Sequence, residues 1–251
     1  MRIYPDTNIF VFLENESLTI SDLEDIIASK IDSIFYSASH IQETLEIKGD
    51  NEQHRQDRIN KRLETIEKIT QGNYINENLK NEVFEFKESP FDVIKTITEV
   101  SFAQNAMKGL TNFISEEQKT ANRKILNLDP KRMNNYKPEE VVEHLNKKLI
   151  KTGQSYKFLD LIELGISYHP DGKTFGMSNQ IAAIFELLDM FGYWKDKYNN
   201  KSNYARLWDS SHSFYATHFD YFITNDKGTF NKSKVVYDIY NVNTKVISTN
   251  I

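Results

Sequence analysis

The chain has 251 residues, of which 39% are hydrophobic and 27% charged, and its formal net charge is −5; this composition is typical of a folded globular protein. The absence of cysteine from the sequence excludes disulfides, thiolate metal sites and cysteine nucleophiles. The acidic balance argues against a protein that coats nucleic acid by bulk attraction, but it is compatible with a site in which carboxylates hold metal ions.

The first residues do not have the pattern of a targeting segment. Asp6 interrupts the first apolar stretch, so we expect no signal peptide. No apolar run approaches the roughly 18 residues of a membrane-spanning helix. We therefore expect a cytoplasmic protein without membrane contact.

Two short strands are predicted near the N-terminus. The first covers residues 1–5 and ends at Pro5, where a proline removes no essential ladder bond. The second is the apolar run 34–36. The helix that follows is expected to begin at Ser39, because Gln42 three residues later completes the pattern of a capping box.

The middle of the chain is predicted to be mainly helical, because apolar residues recur there at helical spacing. Pro138 is expected to open one helix and Ser178 to cap another. Turn-rich stretches at 129–138, 168–172 and 199–203 separate the helices. The apolar faces are Ile59, Leu63, Ile66 and Ile69 in the first helix, Val141, Val142, Leu145 and Leu149 in the second, and Ile181, Ile184, Phe185, Leu188 and Phe191 in the third.

The C-terminal part returns to an α/β pattern. A helix is predicted from about 204 to 217, followed by strands at 221–224 and 245–248. Strand–helix–strand order at both ends of the chain indicates a parallel sheet assembled from the two termini. Ligands of such sheets bind at the carboxyl ends of the strands, where Asp6 and Asp226 are expected to lie.

Three segments resemble the motifs of PIN-domain nucleases. The first is Asp6-Thr7-Asn8, an acid at the tip of the first strand beside a hydroxyl and an amide. The second is the segment 37–43, which places Glu43 on the helix after the second strand. The third runs from a helix that carries Asp209 and His212 into a strand that ends in Thr224-Asn225-Asp226.

The resemblance implies an α/β fold with a PIN-like three-layer core and a short parallel sheet, plus a mainly helical insertion. The core would comprise residues 1–48 and 203–251, and the insertion or subdomain residues 49–202. Two features depart from the family. The separation between Glu43 and Asp209 is much longer than in compact PIN domains, and Pro5 stands where an aliphatic residue is expected.

The resemblance also implies a four-carboxylate site that binds Mg²⁺ or Mn²⁺ and is catalytic. The chemistry is consistent, because phosphodiester hydrolysis needs an activated water and charge stabilisation, which such ions supply when carboxylates hold them. Hydroxyl and amide groups beside the acids would orient the carboxylates or the metal-bound water. The four acids are Asp6, Glu43, Asp209 and Asp226, and the orienting groups are Thr7, Asn8, Thr224 and Asn225.

The function implied is that of a metal-dependent endoribonuclease, a toxin-like or defence effector with RNA as its substrate. Two alternatives remain open. The first is a structure-specific DNA nuclease, and the second is a non-catalytic PIN-like module that binds RNA or protein. A protein partner or inhibitor and a homo-oligomer are also compatible with the sequence.

Several groups are candidates for substrate contact, each with a structural alternative. His212 could contact substrate or an acid, or be satisfied by packing. Lys227 could contact a phosphate, or be an exposed turn lysine. Basic runs in the insertion could guide RNA or be solvated helix faces; these are Arg55, Arg58, Lys61 and Arg62, then Arg123 and Lys124, Lys131 and Arg132, and Lys147, Lys148 and Lys151. Tyr193, Trp194 and Tyr198 beside Lys195, Lys197 and Lys201 could stack bases or form core.

Overall fold

The computed structural model of the protein describes residues 1–97, 115–153, 155–168, 176–196 and 202–249. These residues fold into two compact units, each assembled from separate parts of the chain. The first unit contains the described residues of Met1–Asn105, Tyr215–Asp226 and Asn243–Ile251, and the second unit contains those of Ala106–Phe214 and Lys227–Val242.

A parallel sheet of four strands forms the centre of the first unit. Its order is β2-β1-β6-β7, and every neighbouring pair is parallel. The prediction that the two termini assemble one parallel sheet is therefore confirmed. The strands of the described residues are β1 (Arg2–Pro5), β2 (Ser33–Ile34), β3 (Tyr36–Ser37), β4 (Asn73–Glu77), β5 (Val83–Lys87), β6 (Tyr221–Thr224) and β7 (Lys245–Ser248).

The predicted second strand, 34–36, is divided between two sheets. Ile34 pairs with Ile3 in the parallel sheet, whereas Tyr36 pairs with Tyr74 in a separate sheet of order β3-β4-β5. The chain changes sheets at Phe35, whose amide still donates to the Ile3 carbonyl at 3.1 Å. Strands β4 and β5 form an antiparallel hairpin, which the sequence interpretation had not predicted within the helical middle of the chain.

The helices enclose these sheets and build the second unit. Helix α3 begins two residues earlier than expected, because Ser37, not Ser39, is its N-cap and exchanges capping bonds with His40. Gly176, not Ser178, precedes α10. The helices are α1 (Thr7–Glu14), α2 (Ile20–Ile27), α3 (Ala38–Leu45), α4 (Glu52–Thr70), α5 (Pro90–Ile97), α6 (Glu116–Ile125), α7 (Pro130–Met133), α8 (Pro138–Lys151), α9 (Phe158–Tyr168), α10 (Met177–Phe191), α11 (Ser202–Ala216) and α12 (Lys227–Tyr240).

The predicted turn regions are only partly turns. Asp129 caps the short helix α7 within the stretch 129–138, and the following helix opens at Pro138 as predicted. Tyr168 ends α9, while residues 169–172 and 199–201 of the other two predicted turns lie outside the described residues. None of the helices in the described ranges is long and apolar enough to span a membrane.

The hydrophobic core of the first unit draws on the first helix of the middle segment. Helix α4 buries Ile59, Leu63 and Ile66, three of its four predicted apolar residues, in one cluster with Ile9 and Phe10 of α1. Burial of such side chains is the main favourable term in folding. The first compact unit consequently extends well past residue 48, because α4, the β4–β5 hairpin and α5 share its core.

The second unit is helical and combines an apolar face with buried ion pairs. All five predicted apolar residues of α10 are buried. The guanidinium of Arg206 on α11 is only 2% exposed and donates to Glu186 at 2.7 Å and Asp196 at 3.0 Å. Lys119 of α6 donates to Asp189 at 2.9 Å. Pairing and hydrogen bonding of this kind are what buried charges require, and they fix α11 within this unit.

Candidate functional site

The carboxyl ends of β1 and β6 meet at one edge of the parallel sheet. Pro5 is in register with Ile223, and the amide of Asp6 donates to the Ile223 carbonyl at 2.8 Å, which continues the ladder by one residue. Parallel pairing of these strands places Asp6 beside Thr224, although 218 positions separate them in the chain. The predicted location of Asp6 at a strand end is confirmed.

Neutral donors hold the carboxylate of Asp6, which is 4% exposed. Its Oδ2 atom accepts a hydrogen bond from Thr224 Oγ1 at 2.6 Å and another from Asn8 Nδ2 at 2.8 Å. Its Oδ1 atom accepts from the Asn8 amide at 3.4 Å, so that Asp6 is also the N-cap of α1. These contacts fix the direction in which the carboxylate points.

The segment that follows β6 continues this network. Thr224 Oγ1 accepts from the Asp226 amide at 3.0 Å while it donates to Asp6. The Asn225 amide donates to Asn8 Oδ1 at 3.2 Å, and Asn225 Oδ1 accepts from Thr249 Oγ1 at 3.1 Å. The side chain of Asp226 is exposed. The groups predicted to orient the acids therefore contact the acids or one another.

Glu43 reaches the same place from α3. It lies on this helix two turns after the N-cap Ser37 and accepts a short hydrogen bond from Thr7 Oγ1. One carboxylate oxygen of Glu43 lies within 4.8 Å of a carboxylate oxygen of Asp6. The start of α1 thus supplies both an acid, its N-cap Asp6, and the Thr7 hydroxyl that positions the second acid.

His212 is fully buried on α11 and belongs to the second unit. Asp209 lies one turn before His212 on the same helix and is half-buried. The expectation that these two residues lie beside Asp6 and Glu43 stays a prediction.

A buried histidine that the sequence interpretation did not single out links the segments that carry Asp6 and Glu43. The Nδ1 atom of His40 lies 3.0 Å from the Ser37 amide and its Nε2 atom 2.8 Å from the Pro5 carbonyl. Because the amide can only donate, Nδ1 accepts, and Nε2 carries the proton and donates to Pro5. His40 thereby connects the residue before Asp6 to the start of the helix that carries Glu43. The signal available in the sequence was its position three residues after Ser37.

A buried tyrosine completes this support. Tyr4 Oη lies 2.6 Å from Ser37 Oγ. Burial raises the pKa of Tyr4 well above its ordinary value of 10.0, so its hydroxyl remains protonated at any physiological pH. The tyrosine ring lies 5.0 Å from the ring of His40. The rings of Tyr4 and His40 therefore pack together next to the residues that precede Asp6 and Glu43.

The predicted basic contacts of the insertion have partners within the protein. Arg62 is buried and pairs with Glu14 at 2.6 Å. Arg55 donates to the Ile47 carbonyl at 3.2 Å and the Leu45 carbonyl at 3.0 Å, and Arg58 donates to the Lys48 carbonyl. These bonds tie α4 to α1 and to the segment after α3. Lys227, at the start of α12, is exposed.

The predicted aromatic surface is described only in part. Tyr193 is fully buried, which agrees with the alternative that it forms core. Lys195 pairs with Glu116 at 3.4 Å. Lys197, Tyr198 and Lys201 lie outside the described residues.

Comparisons with known proteins do not assign the chain to a family. No protein-family model, curated protein or solved structure matches it. The function is therefore inferred from the side chains at the end of β1 and on α3, and from the chemistry that such side chains perform.

Proposed function

We propose that the protein is a metal-dependent nuclease that hydrolyses phosphodiester bonds of RNA. The observation that carries this proposal is the pair of carboxylates of Asp6 and Glu43, whose oxygens lie within 4.8 Å of each other. Two charged carboxylates at this separation repel each other. A divalent cation held by both carboxylates would remove the repulsion, which gives a physical reason for keeping both acids in place.

The donor set fits a divalent cation. Carboxylate oxygens of Asp6 and Glu43 suit Mg²⁺ and Mn²⁺. Thr7 donates to the Glu43 carboxylate, and Asn8 and Thr224 donate to that of Asp6. Such hydrogen bonds orient metal ligands in proteins.

The chain's own residues provide the remaining requirements of hydrolysis. A bound divalent ion stabilises charge on a phosphoryl oxygen and makes a water nucleophilic near neutral pH. Asp6 needs no reorganisation during the reaction, because three hydrogen bonds already orient it. Asp226 is exposed two residues after Thr224, and its carboxylate is assigned to accept the proton that the attacking water loses. Asp209, one turn before His212, is assigned to a further ligand or to substrate positioning.

The assignment of RNA as the substrate and of a toxin-like or defence role in the cytoplasm rests on the PIN-like motifs. The arrangement agrees with that resemblance in three respects. Asp6 follows β1, Glu43 lies on the helix after β2 and β3, and Asp226 follows the strand after the Asp209 helix. One fold and one site serve many cellular tasks, so activity is the property to measure first.

The test is a cleavage assay with the full chain on labelled single-stranded RNA and on DNA of the same sequence. Each is incubated with Mn²⁺, Mg²⁺ or EDTA. We expect RNA cleavage in Mn²⁺ or Mg²⁺ and none in EDTA. Cleavage of DNA alone would replace RNA by DNA as the substrate. Binding of Mn²⁺ without cleavage of either would indicate the non-catalytic alternative, and the absence of both would overturn the proposal.

A further inference from the structure

Strand β5 is an open edge of the three-stranded sheet. The sheet order is β3-β4-β5, so β5 pairs on one side only, with β4. The Glu88 amide donates to the Gly72 carbonyl at 2.9 Å and the Asn78 amide to the Glu82 carbonyl at 2.9 Å. Because hydrogen-bonded pairs alternate in an antiparallel ladder, Phe84 and Phe86 direct their backbone groups towards β4.

The alternate residues of β5 direct their backbone groups away from the sheet. These are Val83, Glu85 and Lys87, and their outward amides and carbonyls have no partner among the described residues. A row of such groups is a template for pairing with another strand. An open edge of this kind is where β-strand addition occurs.

Two aromatic side chains accompany this edge. Phe84 is 50% exposed and Phe86 is 45% exposed, and they lie two residues apart on one face of the strand. The ring of Phe86 packs edge-on against Tyr74 at 5.2 Å, which leaves its other side uncovered. At the tip of the hairpin, Leu79 is fully exposed. The edge therefore offers apolar surface beside its backbone groups.

We infer that the occupant of this edge is β5 of a second copy of this chain, paired antiparallel about a two-fold axis. Within one copy Glu85 pairs with Arg2, and Lys87 Nζ donates to the Gln71 carbonyl at 2.7 Å. Both residues are exposed, so each can also meet a charge of the second copy, and these charges select the register. When Glu85 faces Lys87 of the second copy, the symmetry repeats the ion pair, and Phe86 faces its own counterpart on the opposite face. A shift by two residues in either direction would place Glu85 opposite Glu85 or Lys87 opposite Lys87, which like-charge repulsion disfavours.

This register satisfies the backbone and the side chains together. Glu85 and Lys87 are the residues whose backbone groups point outward, so they form the hydrogen-bonded pairs of the new ladder. The two Phe86 rings meet at the closer, non-hydrogen-bonded position, with each Phe84 on the diagonal. Continuation of β5 joins the two three-stranded sheets into one of six strands. The inference does not depend on the proposed nuclease activity.

The charge pattern allows a test by charge reversal, in which restored association of complementary variants also shows that each variant is folded. The mass in solution of the full chain is measured by sedimentation across a concentration series to about 100 µM, because a strand-sized interface supports weak association. We expect wild type to shift from the 29.4 kDa monomer towards twice that mass. Glu85→Lys alone and Lys87→Glu alone should each stay monomeric, because each creates two like-charge pairs.

Mixing tests the register directly. An equimolar mixture of Glu85→Lys and Lys87→Glu restores both ion pairs and should associate, as should the double variant E85K/K87E. Lys124→Glu, an equal charge change at an exposed position of the second unit, should dimerise like wild type. Wild type that remains monomeric throughout would overturn the inference, and so would a mixture that associates no better than its components.

Discussion

Thr224 Oγ1 donates a hydrogen bond to Asp6 Oδ2 at 2.6 Å across 218 positions of the chain. The same hydroxyl accepts from the Asp226 amide, so one side chain joins the acid after β1 to the acid after β6. This relationship follows from the parallel pairing of the two strands, and it is the link on which the geometry of the site depends.

The variant Thr224→Val should weaken Mn²⁺ binding by about 10- to 100-fold, because it removes a group that orients a ligand. It should also lower the free energy of unfolding by about 1–3 kcal/mol, since the Asp226 amide loses its acceptor. Calorimetric titration with Mn²⁺ and denaturation in urea measure the two effects. Thr65→Val, at a half-buried position of α4, is the control. Unchanged Mn²⁺ affinity in Thr224→Val would remove Thr224 from the site.

Substitution of His40 should lower the free energy of unfolding more than substitution of an exposed histidine. His40→Phe retains the ring packing with Tyr4 and Phe10 but leaves the Pro5 carbonyl and the Ser37 amide without this partner. We expect a loss of about 2 kcal/mol or more in the free energy of unfolding. His54→Phe, at an exposed position of α4, should change it by about 0.5 kcal/mol or less. Equal effects of the two variants would contradict the bridging role of His40.

The ion pair of Arg62 with Glu14 should stabilise the folded chain and should not contribute to substrate binding. Both side chains are largely buried, at 9% and 11% exposure. Arg62→Met leaves the Glu14 carboxylate with Lys61 at 3.9 Å as its one ion-pair partner among the described residues, so we expect a loss of about 2–4 kcal/mol. The double variant E14Q/R62M should lose less than the sum of the single variants. A normal stability of Arg62→Met combined with weakened RNA binding would restore the interpretation as a substrate contact.

Buried tyrosines should make the fold sensitive to alkali. Burial raises the pKa of Tyr4 and Tyr237 well above the ordinary 10.0 and that of Tyr215 to about 12. Groups whose folded pKa is raised hold their protons more tightly in the folded state. Their stabilisation is therefore complete below about pH 10, the unfolded value, and is lost as the pH rises above it.

Unfolding free energies at about pH 9 and pH 11 measure this dependence. The loss should be smaller in Tyr237→Phe, because one of the shifted groups is absent. Phenolate absorbance of these tyrosines should appear together with unfolding. Complete ionisation of all 13 tyrosines while the chain remains folded would contradict the assignment.

Much of the arrangement could be predicted because local patterns and tertiary packing agree. The strands β1, β6 and β7 lie where short apolar runs meet turn residues, and Asp6 follows β1 as the motif predicts. All predicted apolar residues of α10 are buried, because residues that recur at the helical period form one stripe, and that stripe faces the core. These features depend on residues close together in the chain.

Other features depend on partners far along the chain, which periodicity does not reveal. The hairpin of β4 and β5 was assigned to a helical region, although Phe84 and Phe86 alternate with charged residues as in a half-exposed strand. The burial of Arg62 depends on Glu14, 48 positions away. The complete burial of His212 depends on the packing around α11, so the sequence could only suggest a contact with substrate or an acid.

The most direct test of the central claim compares wild type with Asp6→Asn on labelled single-stranded RNA in Mn²⁺. Both proteins are purified in parallel, and their unfolding free energies are measured first. The account predicts that Asp6→Asn retains its fold, or gains stability from reduced repulsion with Glu43, while the cleavage rate falls by about 100-fold or more. Cleavage by Asp6→Asn at the wild-type rate would contradict the account.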